Sequence, residues 1–260
     1  MARVVSTGMP ALDKALMNGL PVGFTILVAG TPGSGTELFA KQFATAPKQN
    51  EHVVYFATAE RDEDIKSALE DFNWKTDMKI VNVGNMYYEN ILARKLEVSR
   101  ARQEGLPVKD LQKLRMRSKQ EKQDINFLTS LTYEVSKLKP PFRVVIDSLD
   151  FFLEYYQHAD VLSALRTIKA HTQHEEGVAL ITMLTNVYDT RTQSGVEEIV
   201  DCIVELERVR EGDSFKRYLI VRKVRNHPEK TGIYAYTITR EGMVPIYVPK
   251  IRNDTACYDF

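Results

Sequence analysis

A glycine-rich loop is the part of this chain whose residue types and spacing come closest to a known chemistry. Its eight residues are Gly30, Thr31, Pro32, Gly33, Ser34, Gly35, Thr36 and Glu37. The glycine spacing matches the phosphate-binding pattern G-x-x-x-x-G-K-[ST], whose backbone N–H groups hold an anion at a helix N-terminus. Thr36 stands where the pattern has lysine, and Glu37 stands where it has serine or threonine.

The two exchanged positions remove the groups that handle charge in such a loop. The lysine normally contacts the β- and γ-phosphates, and the hydroxyl helps to hold Mg²⁺. Losing one charge-assisted hydrogen bond costs about 1.5–3 kcal/mol, and the Glu37 carboxylate adds repulsion. The sequence therefore assigns no cofactor firmly and leaves ATP or ADP with Mg²⁺ as a weakened ligand. The alternative reading is that the glycines serve only the tight turn from strand to helix.

The elements that position this loop alternate between strand and helix. Short apolar runs predict strands at residues 24–29, 52–57, 78–83, 142–146 and 178–184. Helical spacing predicts helices at residues 36–46, 61–71 and 160–176, the last with Asp160 as its N-cap. This alternation predicts an α/β fold with a mostly parallel central sheet and helices on both faces. Strand-like segments at 202–208, 215–223 and 234–239 predict an antiparallel C-terminal extension.

Residues 87–139 differ from the rest, because they are polar and basic with few strand-forming residues. Gly105-Leu106-Pro107 divides them, so we expect a helical hairpin or an extended helical insertion. We therefore predict a single domain over residues 1–260 that carries this insertion. In the basic stretch 94–122 a solvated helical face and a nucleic-acid or partner surface are both open, and Arg115 and Arg117 are candidates for the latter.

Composition favours a soluble intracellular protein. The formal net charge is zero, which gives no global electrostatic attraction for nucleic acid or anionic membranes. The two cysteines, Cys202 and Cys257, exclude a disulfide framework and fit a reducing cytoplasm. We expect no signal peptide and no membrane span. The five histidines form no constellation of metal ligands.

Several ordered motifs resemble KaiC-like members of the RecA superfamily of P-loop ATPases. The opening Ser-Thr-Gly-Met-Pro-Ala-Leu-Asp of residues 6–13 and Asn-Gly-Leu-Pro-Val-Gly of 18–23 resemble the family's approach to its first strand and P-loop. Val-Val-Ile-Asp-Ser at 144–148 resembles its Walker B strand, and Gly-Val-Glu-Glu-Ile-Val-Asp at 195–201 a later segment. Lys-Val-Arg at 223–225 and Gly-Ile at 232–233 resemble its K-x-R strand and the hairpin after it. The resemblance implies a RecA-like fold, which usually assembles into hexamers with ATP between subunits.

The resemblance also assigns expected roles to residues outside the loop. Asp147 matches the Walker B carboxylate that holds Mg²⁺ through water, and capping of nearby backbone is the alternative. Ala59 and Glu60 match the Glu-Glu pair that activates water, so the first carboxylate is absent; Glu60 is a remnant of the pair or, alternatively, a solvated residue before a helix. Lys223 and Arg225 match cations that reach the γ-phosphate of the neighbouring subunit in trans, with an exposed strand face or a salt bridge as alternatives.

Two further polar features have plain interpretations. Lys41 lies one helical turn after Glu37 and is expected to pair with it. Residues 185–194 are expected to form a surface loop, although the corresponding loop of RecA-like folds lines a central pore.

Three functions follow as hypotheses from these residues. The first is a non-hydrolysing, pseudo-ATPase protein with a regulatory or scaffolding role through protein partners, as a homo-oligomer or hexameric ring. The second is an ATP-binding protein or slow ATPase with a non-standard P-loop. The third is a nucleic-acid-binding RecA paralogue that uses residues 94–122.

Overall fold

A computed structural model describes residues 3–46, 50–75, 77–105, 107 and 126–247. Within them, apolar segments build a central sheet. In order of adjacency its strands are β11 (Gly242–Tyr247), β10 (Gly232–Thr239), β9 (Ser214–Val224), β8 (Cys202–Glu211), β3 (Thr25–Gly30), β7 (Val178–Leu184), β6 (Phe142–Asp147), β4 (His52–Ala57) and β5 (Lys79–Asn82). The short strands β1 (Val4–Val5) and β2 (Leu20–Pro21) pair separately. Strands β8 to β5 are parallel, whereas β9, β10 and β11 add an antiparallel extension.

Helices cover both faces of this sheet. One face carries α1 (Pro10–Ala15), α2 (Thr36–Ala44) and α3 (Asp62–Asp71). The other carries α4 (Val83–Tyr87), α6 (Phe127–Ser136), α7 (Asp150–Tyr155), α8 (His158–His174) and α9 (Thr190–Ile199). A π-helical turn, Tyr88–Leu92, joins α4 to α5 (Ala93–Gln103), and a 3-10 turn spans Pro228–Lys230. None of the helices in the described ranges combines the length and apolarity that a bilayer crossing needs.

Strand β3 shows why the parallel strands are apolar throughout. Successive strand residues point to opposite faces. Ile26 and Val28 therefore join the core under α1 to α3, while Leu27 and Ala29 join the core under the other helices. Both faces are buried, so the run needs no polar alternation. The predicted fold is confirmed: a mostly parallel sheet between helical layers with an antiparallel C-terminal extension.

Two local expectations are wrong. Asp160 does not cap α8, which begins at His158 after Gln157; Asp160 lies in the first turn, where an acid also suits the helix dipole. The loop predicted at 185–194 ends early, since α9 begins at Thr190. Its true N-cap is Asp189, whose side chain accepts a hydrogen bond from the Thr192 backbone N–H at 2.7 Å.

The described parts of the 87–139 segment are helical but not uniform. Helix α5 ends at Gln103, and Gly105 adopts a φ of +75°, consistent with a break at this glycine. Residues 108–125 lie outside the described residues, so the helical hairpin stays a prediction. Helix α6 buries Phe127, Leu128 and Leu131 against the sheet, which makes it part of the core.

Candidate functional site

The carboxyl ends of four parallel strands meet at one edge of the sheet. There β3 leads into the glycine loop, β4 into Thr58, β6 ends at Asp147 and β7 ends at Leu184. They enclose a cavity of about 400 Å³. Its lining residues are Thr36, Glu37, Thr58, Ala59, Asp147, Ser148, Asp150, Phe151, Glu154, Thr182, Met183 and Leu184. This edge of an α/β sheet is where ligands bind in such folds.

The glycine loop is tightly folded onto its own strand. A Cβ on Gly30 would lie 2.4 Å from Ser34 Oγ and 2.8 Å from Thr36 Cγ2, so only glycine fits there. Gly35 has a φ of +94° and occupies the N-cap position of α2. The side chain of Ser34 is fully buried, and its hydroxyl has no hydrogen-bond partner. The turn therefore requires its glycines whether or not a phosphate binds.

The cavity is strongly acidic, and we refer to it as the acidic cavity. It is lined by four carboxylate residues: Glu37, Asp147, Asp150 and Glu154. No lysine or arginine lies among its lining residues. Thr36, which occupies the lysine position of the motif, donates a hydrogen bond at 3.3 Å to the Glu37 carboxylate. A triphosphate entering this space would meet like charge without a compensating cation.

Asp147 is held by hydroxyl groups of the protein. Tyr55 donates to Asp147 Oδ2 at 2.5 Å, and Thr182 donates to Oδ1 at 2.6 Å. Burial, followed by the Asp147 charge, raises the pKa of Tyr55 well above its usual value, so its hydroxyl keeps the proton that it donates. Both oxygens of this carboxylate thus have partners within the sheet.

Asp150 is engaged in the same way. It accepts hydrogen bonds from the Leu184 backbone N–H at 3.1 Å and from the Tyr188 hydroxyl at 2.9 Å. Burial, followed by the Asp150 charge, raises the pKa of Tyr188. These internal donors compensate the charge of the half-buried Asp147 and of the buried Asp150.

Glu60 lies outside the lining of the cavity and has its own partner. Lys41 Nζ is 2.7 Å from Glu60 Oε2, and only 4% of the lysine side chain is exposed. The expected pairing of Lys41 with Glu37 is therefore wrong. Position 41 lies on the buried side of α2, so the ammonium reaches the end of β4 rather than the exposed Glu37. Ala59 lines the cavity in the place of the first glutamate.

Lys223 and Arg225 contact a different part of their own chain. Lys223 Nζ donates at 2.7 Å to the backbone carbonyls of Glu197 and Val200, at the C-terminus of α9. Arg225 Nε lies 3.0 Å from a carboxylate oxygen of the buried Asp201. Burial, followed by the charges of Arg225 and Lys169, lowers the pKa of Lys223. Their expected reach to a neighbouring subunit stays a prediction.

The described residues add little about the remaining candidates, which are the basic stretch at 94–122 and a metal site. Lys95, Arg100 and Arg102 are exposed on α5, whereas the basic residues from Lys109 to Lys122 lie outside the described residues. Within the described ranges no group of three or more His, Cys, Asp or Glu side chains could hold a metal ion. Sequence reasoning missed Tyr55 and Thr182, because a single aromatic or hydroxyl residue in an apolar strand carries no motif.

Comparisons with known proteins agree with this fold. A family model described as "ATPase: KaiC" matches residues 5–250. The chain is 29% identical over 245 residues to the circadian clock oscillator protein KaiC of Parathermosynechococcus lividus, covering 91% of this chain and 41% of that protein. It is 26% identical over 254 residues to a UPF0273 protein of Pyrococcus horikoshii, covering 96% of both.

A solved structure has the same fold. The KaiC-like protein of Pyrococcus horikoshii OT3 superposes with a TM-score of 0.62 at 20% identity, covering 94% of this chain and 99% of that one. The chain spans about two fifths of the length of the circadian clock proteins that it matches, and nearly the full length of the UPF0273 protein.

Proposed function

This chain belongs to the KaiC family of ATPase domains, and on that premise we propose that it is a non-hydrolysing member with a regulatory or scaffolding role. It acts through protein partners and as a homo-oligomer, of which a hexameric ring is the expected form. The observation that carries the proposal is the acidic cavity, because four carboxylates and no cation line the place that a nucleotide would occupy.

The residues of the acidic cavity do not fit Mg-ATP. Thr36 stands in place of the lysine that would neutralise the β- and γ-phosphates, and Glu37 stands in place of the hydroxyl that would bind the metal. Each lost charge-assisted hydrogen bond weakens binding by about 1.5–3 kcal/mol, or roughly tenfold to a hundredfold. The carboxylates add repulsion, which water screens least at the buried Asp150.

The remaining catalytic parts are engaged elsewhere. Asp147 already accepts hydrogen bonds from Tyr55 and Thr182, which leaves fewer of its lone pairs to orient a water on a metal ion. Glu60 would have to leave Lys41, whose buried ammonium would then lack a counter-charge. No general base lines the cavity at position 59, which is alanine. Together with Thr36 and Glu37, Ala59 makes three replaced elements, namely the lysine, the metal-binding hydroxyl and the first glutamate, and their joint loss is more consistent with an abandoned activity than with one relaxed position.

The antiparallel extension supports a role in assembly. Val209, Phe215, Ile233, Ile238 and Ile246 are large apolar residues on β8 to β11 that remain exposed. By the strand registers Val209, Ile233 and Ile246 share one face of this extension, and apolar side chains on one face suit a protein contact. The low cysteine content fits a reducing compartment, so we place this role in the cytoplasm.

The test is to measure phosphate release from Mg-ATP by the purified protein beside an intact KaiC-family ATPase. We expect no turnover above the buffer rate, and no strengthening of nucleotide binding when Mg²⁺ is added to a calorimetric titration. Turnover comparable to the intact relative would overturn the proposal. Weak, Mg²⁺-dependent turnover would favour the slow-ATPase hypothesis instead.

A further inference from the structure

A stripe of three large apolar side chains is exposed along the helical segment that leads from α4 into α5. Tyr88 and Leu92 belong to the π-helical turn, and Leu96 lies in α5. Their exposed fractions are 53%, 36% and 46%. The spacing of four residues places them above one another on one side of the helix. We refer to Tyr88, Leu92 and Leu96 as the α5 ridge.

The opposite side of the same helix already packs against the protein. Ile91 is 6% exposed and belongs to the hydrophobic core shared with α6 and α8, and Ala101 is 8% exposed. At about 100° per residue, Ile91 and Ala101 lie on the side of the helix that faces away from Leu96. The helix is therefore apolar on two sides, and only the inner side is covered among the described residues.

Opposite charges flank the α5 ridge on its two sides. Lys95 and Glu97 each lie about 100° around the helix from Leu96, in opposite directions. Arg102 follows Lys95 by seven residues, which is close to two turns, so it continues a basic edge. Glu104 follows Glu97 by the same interval and continues an acidic edge. The ridge thus has a basic edge on one side and an acidic edge on the other.

Two further charges lie on the acidic side. Glu89 precedes Glu97 by eight residues and adds to that edge, whereas Arg100, four residues after Leu96, offsets part of it. The charged side chains of both edges are exposed. None of them forms an ion pair with another described residue. Both edges are therefore open to a contact with another molecule.

A second copy of the chain is the occupant that this arrangement fits. When two such helices lie parallel around a two-fold axis, their ridges meet, and the basic edge of each faces the acidic edge of the other. An antiparallel pair would instead bring like edges together. The outer side of a single helix offers no groove for a peptide, and edges of mixed sign do not suit a polyanion such as nucleic acid.

We propose that two copies of this chain associate through the α5 ridge, with their α5 helices parallel around a two-fold axis. Tyr88, Leu92 and Leu96 form the apolar centre of the contact, and Lys95 of each copy faces the acidic edge of its partner. The contact goes beyond the proposed ring. Neighbours in a ring join different surfaces, whereas residues of the α5 ridge meet their own equivalents across the two-fold axis.

The first experiment is cross-linking of the full chain with a short bis-maleimide reagent in a Cys257→Ser background, where the remaining Cys202 is buried. Ser99 is exposed and follows Leu96 by three residues, so Ser99→Cys places a thiol on the ridge side and keeps the apolar groups. We expect a covalent dimer. The matched control is Ser163→Cys, an exposed serine of α8, which should cross-link about tenfold more slowly because no contact raises its effective concentration.

The charges decide between a second copy and a different partner. Lys95→Glu and Glu97→Lys should each slow the cross-linking of Ser99→Cys about tenfold, because each places like charges together twice across the axis. The double variant exchanges the two edges on both copies at once, so it should return to the rate of Ser99→Cys alone.

Two results would overturn the inference. Equal rates for Ser99→Cys and Ser163→Cys would show that two ridges do not meet. A double variant as slow as the single variants would show that the edges face something other than a second copy. Mg-ATP turnover would overturn the proposed function and leave this contact standing.

Discussion

The acidic cavity and the α5 ridge both gather charged side chains, but the two regions differ in how those side chains are partnered. In the cavity the half-buried Asp147 and the buried Asp150 accept hydrogen bonds from tyrosine and threonine hydroxyls and from a backbone N–H. Beside the ridge, Lys95, Glu97 and Arg102 are exposed and form no ion pair with another described residue.

This difference separates what the fold satisfies by itself from what it leaves for a partner. Apolar side chains that lie together on a surface tend to mark sites where something else binds. The cavity, which the family would fill with a nucleotide, is internally complete. The ridge, which no motif announces, is incomplete.

The largest effect is expected from Asp147→Ala. The substitution leaves the hydroxyls of Tyr55 and Thr182 buried without an acceptor, at about 1–3 kcal/mol each. We therefore expect the free energy of unfolding in urea to fall by about 3 kcal/mol. The matched control is Glu154→Ala, an exposed carboxylate of the same cavity, which should change stability by less than about 0.5 kcal/mol. If both substitutions lower the free energy of unfolding equally, the hydrogen bonds to Asp147 do not stabilise the fold.

The second prediction restores the charges of the motif. Thr36→Lys combined with Glu37→Thr should strengthen Mg-ATP binding by about tenfold to a hundredfold, because it returns a cation and removes a carboxylate. Phosphate release should stay near the buffer rate, since position 59 still lacks a carboxylate. Calorimetry and a turnover assay measure the two quantities.

A control isolates the charge in that experiment. Thr36→Gln with Glu37→Thr has a side chain of similar reach but no cation, so it should gain much less affinity. If neither variant gains affinity for Mg-ATP, the hydrogen-bonded Asp147 and Asp150 rather than the lost lysine prevent binding. The charge of the loop would then not explain the weak affinity of the acidic cavity.

The third prediction concerns the buried ion pair beside the cavity. Glu60→Gln leaves the Lys41 ammonium, 4% exposed, without its counter-charge, whereas Lys41→Met leaves a carboxylate whose side chain is 35% exposed. We expect Glu60→Gln to cost about 2 kcal/mol and Lys41→Met clearly less. Urea unfolding of both variants measures the asymmetry. The reverse order would show that Glu60 rather than Lys41 depends on the pair.

Much of the fold follows from the sequence because its signals are local. Strands β4 and β7 agree residue for residue with the predicted apolar runs, since a strand buried on both faces needs a continuous apolar stretch. Thr36 and Glu37 of the glycine loop line the acidic cavity together with Asp147, which the sequence analysis matched to a Walker B carboxylate. Helix α9 was partly misread as a loop, because Thr190 to Gly195 are polar or small and helix propensity there is weak.

The partners of these residues could not be predicted in the same way. Lys41 pairs with Glu60 across 19 positions, and Tyr55 meets Asp147 across 92. Long-range pairs of this kind depend on the assembled sheet, whereas motifs and periodicity report only on neighbours along the chain.

The smallest predicted effect tests the ridge directly. Leu96→Ala truncates a side chain that is 46% exposed, so the free energy of unfolding should change by less than about 0.5 kcal/mol. The matched control is Ile91→Ala on the inner side of the same helix, where the side chain is 6% exposed and its truncation should cost about 2 kcal/mol. Urea unfolding at a protein concentration too low for association measures both quantities. Equal losses would show that Leu96 is covered within its own chain, and the ridge would then belong to the core. A negligible loss at Leu96 beside a large loss at Ile91 would mean that folding uses only one of the two apolar sides of this helix, as expected where a second copy supplies the other half of the contact.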